Sequence, residues 1–137
     1  MAKPIHDGLP SIHSKKDVFM KENSLIKLSK QFAEDIVKLC MKMKENKFGG
    51  VLINQLLRSG TSIGANVHEA NYAASKADFV NKFQIALKEC YESDYWLELF
   101  KNTSLITVED FNDMYNKCSK IRKMLIASIN TAKRNDK

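Results

Sequence analysis

With 137 residues, 44% of them hydrophobic and 28% charged, the chain has the make-up of one ordinary globular domain, long enough to bury a core. A formal net charge of +6 suits a nucleic-acid or acidic-protein partner. No apolar run is long enough to cross a bilayer, and the N-terminus lacks the hydrophobic core of a signal peptide, so a cytoplasmic location is expected.

Residues 1–23 read as an N-terminal tail. Pro4, Gly8 and Pro10 punctuate it, and Ile5, Leu9, Ile12, Val18 and Phe19 keep no period. His6 and His13 are too isolated to act as ligands. The domain proper is expected over 24–137, with Ser24 as N-cap of a first helix. Leu25, Leu28, Phe32, Ile36, Leu39 and Met43 then step by three and four, with Lys27, Lys30, Glu34 and Lys38 opposite. This helix is expected to end near Asn46, ahead of Gly49 and Gly50.

A second helix is expected from Val51 to about Ala74. It carries RSGTSIGANVHEA, from Arg58 to Ala70, a stretch dense in small residues. Glycine inside a helix costs about 1 kcal/mol relative to alanine. Yet Leu52, Leu56, Ile63, Val67 and Ala70 keep a helical spacing straight through it. The glycines therefore imply close approach of other backbones. Arg58, Ser62 and Glu69 fall on a neighbouring stripe, with Asn66 at its border.

Ser75, with Asp78 three residues on, opens the third helix in the manner of a capping box. Phe79, Phe83, Ala86, Leu87, Cys90 and Leu97 form one apolar stripe of this helix. Ile85, Trp96 and Leu99 form a second, and Glu89 and Glu92 share its side. A helix apolar on two sides buries both, so the second stripe calls for a partner. Thr107 caps the fourth helix, with Asp110 three residues later. Phe111, Met114, Cys118, Ile121, Leu125 and Ile129 make its core face; Lys117, Lys120, Lys123 and Arg134 lie on the outer side, and Lys133 and Lys137 extend that patch. The fold class is thus all-α: an antiparallel up-down four-helix bundle.

Candidate catalytic sets fail in turn. Cys40, Cys90 and Cys118 form no CxxC pair and lie near no histidine cluster, so reduced cysteines packed as small hydrophobes are expected. Gly60 and Gly64 follow no strand, which excludes a phosphate loop. His68 and Glu69 lack the second histidine of a zinc-protease motif, and His68 reads as a packed or surface residue. Carboxylates on two helices suggest di-iron chemistry, but that site wants two Glu-x-x-His pairs and the chain has none. No metal or cofactor is expected. Arg58, Ser62, Asn66, Glu69, Glu89 and Glu92 instead read as a structural polar seam, in which a guanidinium is satisfied by carboxylates. A ligand or partner contact is the other use of the same residues.

The run from Leu56 to Phe100 resembles the bacterial four-helix-bundle family named after proteins encoded in intervening sequences of large-subunit rRNA genes, also called S23. The residues that carry the resemblance are Arg58, Ser62-Ile63, Asn66-Val67, Glu69, Ser75, Asp78-Phe79, Glu89 and Glu92. His68 stands where the commoner pattern has alanine. The resemblance covers the second and third helices by motif and the other two by pattern. It implies a closed homo-oligomeric barrel, a homopentamer, with no enzymatic activity. One relative, the accessory protein of diversity-generating retroelements, is a basic pentamer that binds nucleic acid and a reverse transcriptase.

The sequence therefore leads to a non-enzymatic oligomer that contacts RNA or DNA through phosphates. Ile85, Trp96 and Leu99 are its expected interface with other copies, and Lys117, Lys120, Lys123 and Arg134 its expected nucleic-acid contacts. The outer lysines are not interleaved with aromatics, and no helix-turn-helix is present, so neither base stacking nor base reading is expected. The alternative is a scaffold or adaptor that binds only protein.

Overall fold

The computed structural model describes residues 12–43 and 50–135, with side-chain surroundings from Ser24 onward. It has four helices: α1 Ile12–Met43, α2 Gly50–Ala70, α3 Lys76–Asn102 and α4 Val108–Arg134. Among the described residues there is no strand. Each helix packs on the next, and α4 returns to α1, so the four enclose one core. Phe32, Phe83 and Phe100 are its largest fully buried side chains. Burial of one such side chain contributes roughly 1.5–3 kcal/mol.

The start of α1 corrects the expected cap. The helix begins at Ile12, and Ser24 is an exposed residue within it. The physical reason is the absence of a breaker: neither proline nor glycine occurs between Pro10 and Gly49. A serine with helix formers on both sides does not end a helix that nothing else interrupts. The expected end near Asn46 lies outside the described residues.

In α2 the core face is Ile53, Leu56, Ser59, Gly60, Ile63, Val67 and Ala70. Ile53, not Leu52, opens it; Leu52 is exposed. The helix ends at Ala70 rather than Ala74, because the chain tightens there. The amides of Asn71, Tyr72 and Ala73 bond carbonyls three residues back, at 3.0–3.2 Å. The small residues have the expected consequence. A Cβ on Gly60 would meet the Ile36 side chain at 2.9 Å, and one on Gly64 would meet the Ser29 carbonyl oxygen at 3.0 Å. Ser59 does the same toward α3, where the buried Ser93 hydroxyl lies 3.0 Å from its own.

Both predicted caps on the later helices are present. The Ser75 hydroxyl accepts from the Asp78 amide at 3.1 Å, and the Thr107 hydroxyl from the Asp110 amide at 3.0 Å. Between them, α3 ends in a Schellman motif. The Leu105 amide bonds the Phe100 carbonyl at 2.8 Å and the Ser104 amide that of Lys101 at 3.1 Å. Ser104 takes the left-handed conformation there, with φ of 59°.

Candidate functional site

The α2–α3 face gathers most of the residues singled out by the sequence. Arg58 reaches across from α2, its Nη1 2.9 Å from Glu89 Oε2 and its Nη2 on Glu92 Oε2. Trp96 Nε1 donates to the same Glu92 oxygen at 3.1 Å. A helix period of 3.6 explains the arrangement: Glu89, Glu92 and Trp96 are three and four apart, so one turn after another faces Arg58. Burial pushes Glu92 up, but the hydrogen bonds from Trp96 and Arg58 outweigh it and hold the carboxyl below its ordinary value. Hydrogen bonding to Glu92, with the nearby charge of Glu89, raises the Arg58 guanidinium. The Arg58 side chain is nevertheless 50% exposed.

The rest of the seam does not join this cluster. Glu69 pairs with Lys82 at 3.1 Å, a residue the sequence did not single out. Asn66 Nδ2 donates to the Ser62 carbonyl within α2 at 2.8 Å. His68 is exposed, beside Tyr72. On the same side of α3, Ile85 is exposed while Trp96 and Leu99 are half-buried. Tyr95 is exposed next to them, its ring edge-on to that of Trp96.

The four predicted cationic contacts fall into two groups. Lys117 is held by two carboxylates, Asp35 of α1 at 2.9 Å and Asp113 of α4 at 3.1 Å. Hydrogen bonding to Asp35 raises the Lys117 ammonium. Asp35 is pushed up by burial, but bonds from Lys117 and Gln31 carry it below its ordinary value. Lys120, Lys123 and Arg134 stand exposed, and Arg134 bonds its own helix through Thr131 at 3.3 Å.

Sequence reasoning missed one polar cluster entirely, at the α3–α4 junction. Asp94 Oδ2 accepts from Arg122 Nη1 at 2.6 Å, and Arg122 Nη2 donates to Ser119 Oγ at 3.1 Å. Side-chain exposure is only 13% for Asp94 and 18% for Arg122. Asp94 Oδ1 is sealed and accepts no hydrogen bond among the described residues. The neighbouring Cys118 thiol turns instead to the Cys90 carbonyl, at 3.5 Å. Burial raises the Asp94 carboxyl, and Arg122 only partly opposes it. Each residue alone looks like a solvated helix position, so only the register between α3 and α4 could have revealed the pair.

Among the described residues no group of three or more His, Cys, Asp or Glu side chains is placed to hold a metal ion. Cys40, Cys90 and Cys118 are free and buried. An open cavity of about 280 Å³ lies where α1 meets the α3–α4 turn, lined by Leu39, Met43, Leu105 and Ile106 with the Lys42–Asp110 pair at its edge. No helix among the described residues is long and apolar enough to cross a membrane.

The fold is all-α, four helices with a polar seam between α2 and α3. The family model described as "23S rRNA-intervening sequence protein" matches residues 21–127, and the chain belongs to that family. Among solved structures, it is similar to a protein of unknown function from the S23 ribosomal protein family of Bacteroides thetaiotaomicron. The two are 45% identical with a TM-score of 0.77, over 80% of this chain and 98% of that one. A comparison with curated proteins finds no match.

Proposed function

We propose that the protein is a non-enzymatic, cytoplasmic, antiparallel up-down bundle that assembles as a closed homo-oligomer and binds RNA or DNA through phosphate contacts. The observation that carries the nucleic-acid reading is the division among its cations. Lys42, Arg58, Lys82, Lys117 and Arg122 each pair with a carboxylate, whereas Lys120, Lys123 and Arg134 on α4, like Lys27, Lys30 and Lys38 on α1 and Lys88 on α3, remain exposed without one among the described residues. Unpaired exposed cations on a chain of net charge +6 attract polyanions and release counterions on contact. Copies of the chain in one body multiply that field. The assembly reading rests on Ile85, Trp96 and Leu99, which share one side of α3 with the open seam.

The test is a fluorescence-anisotropy titration of the wild-type protein with RNA and with DNA at low salt. Binding that weakens as salt rises is the expected result. No binding to either at low salt refutes the reading. In that case the scaffold alternative, a protein partner seated on the Trp96 face, takes its place, favoured by the exposed Ile85 and Tyr95.

A further inference from the structure

We infer that the nucleic-acid surface is a single rail along α4, formed by Asn116, Lys120, Lys123, Ala127, Asn130 and Arg134, and that the rail fits the backbone of a double helix. The inference rests on the phosphate-binding reading above and narrows it to one surface and one form of nucleic acid.

Three observations carry it. First, all six side chains are exposed, and their spacing of four, three, four, three and four places them on one stripe of the helix. At 1.5 Å per residue the stripe is about 27 Å long. Second, α4 carries no acidic side chain from Met114 to Asn135. The acids of the helix, Glu109, Asp110 and Asp113, all sit in its first two turns. Charge at the helix ends follows from the macrodipole, with acids near the N-terminus and Lys133 and Arg134 near the C-terminus. The macrodipole does not account for Lys120 and Lys123, which are mid-helix. The outer faces of α1 and α3 differ: Glu34 interrupts Lys30 and Lys38 on α1, and Glu98 follows Lys88 on α3. Third, Lys117 leaves the contact set, because Asp35 and Asp113 already hold it.

The chemistry of the six positions selects the partner. Every polar side chain on the rail can donate a hydrogen bond to a phosphate oxygen, and none is anionic. Ala127 keeps the middle of the rail low, so a backbone can lie close. No aromatic occurs on the stripe, and the exposed Tyr91 and Tyr95 belong to α3. A single strand therefore finds nothing to stack its bases on. A duplex needs no stacking platform and presents phosphates already ordered in a row.

The experiment compares binding of an RNA duplex, a DNA duplex of the same sequence and the corresponding single strand across a salt series. It uses wild type, the Lys120→Gln/Lys123→Gln/Arg134→Gln variant, Lys117→Gln, and Ala127→Glu. Wild type should prefer either duplex to the single strand. On duplex DNA each phosphate neutralised adds about 0.9 to the slope of log affinity against log salt, so the triple variant should lose roughly 2–3 from that slope. Lys117→Gln should leave the slope unchanged, and Ala127→Glu should weaken duplex binding without removing any cation. A triple variant with the wild-type slope, a Lys117→Gln variant with the reduced one, or a single strand bound as tightly as the duplexes overturns the rail while phosphate binding itself stands. No binding by wild type overturns both. All substituted residues but Lys117 are exposed and no helix former is replaced by a breaker, so circular dichroism should be unchanged.

Discussion

The α2–α3 seam and the α3–α4 junction both set an arginine against carboxylates on a neighbouring helix, and they differ in access to water. Arg58 meets Glu89 and Glu92 with half of its side chain in solvent. Arg122 meets Asp94 where both are mostly covered, and one carboxylate oxygen has no donor among the described residues. Water screens Arg58 and Glu92 in the first cluster, although the Glu89 side chain is only 12% exposed, so the cluster's net contribution within one protomer is the smaller. The second pair lacks that screening, and removal of one partner strands the other. The open pair can be completed by something outside the protomer; the closed pair serves only α3 and α4.

The largest expected effect comes from opening the closed pair. Arg122→Met should cost about 3–5 kcal/mol in urea unfolding, because it leaves Asp94 charged and without its main donor. Asp94→Leu combined with Arg122→Met should recover much of that loss, and failure to recover would mean that Arg122 acts by packing on the Tyr91 ring instead.

Arg58→Met sharpens the comparison from the other side. The sequence expectation of a satisfied, buried guanidinium implies a cost of roughly 3–5 kcal/mol. The observed exposure lowers that to about 0–1 kcal/mol for the isolated protomer. A larger loss that depends on protein concentration would show that assembly closes the seam.

Acid titration separates the two regions by sign. The Asp94 carboxyl is raised in the folded protein, so between the ordinary aspartate value and the raised one the native state holds a proton that the unfolded chain has released. In that window the contribution of Asp94 to stability falls as pH rises. Glu92 and Asp35 are lowered, so their contributions are present above the ordinary carboxylate values and vanish as pH falls through the folded ones. Asp94→Asn should therefore make stability rise more steeply with pH in the mildly acidic range, measured as urea midpoints. An unchanged or shallower curve would contradict the placement of Asp94.

The smallest effect is expected at the turn that sets the α3–α4 register. Ser104 takes a left-handed conformation at the residue after the C-cap, where glycine has no steric cost. Ser104→Gly should raise stability by up to about 1 kcal/mol, read as a small increase in Tm.

These contrasts also show where the sequence was legible. Caps at Ser75 and Thr107 and the core faces of α3 and α4 follow from local chemistry and a period of 3.6, both visible in one dimension. The small residues of α2 announced close packing for the same reason, since glycine in a helix must be compensated by contact. Ser24 misled because an isolated cap residue resembles a start whether or not the helix already runs through it. Asp94–Arg122 and Asp35–Lys117 were illegible because 28 and 82 residues separate the partners, and only the register of packed helices joins them. That same register removed Lys117 from the residues available to a polyanion.

The proposed function divides the surfaces: copies of the chain are expected to meet on the Trp96 face of α2–α3, and the α4 face is expected to stay open. Light scattering on the purified protein at micromolar concentration, beside Trp96→Glu, tests it most directly. A charge in a dry interface costs several kcal/mol, so wild type should have the mass of a homopentamer and the variant that of a smaller species with the same helical spectrum. A wild-type protein with the mass of one protomer, or a Trp96→Glu variant that assembles like wild type, would contradict it.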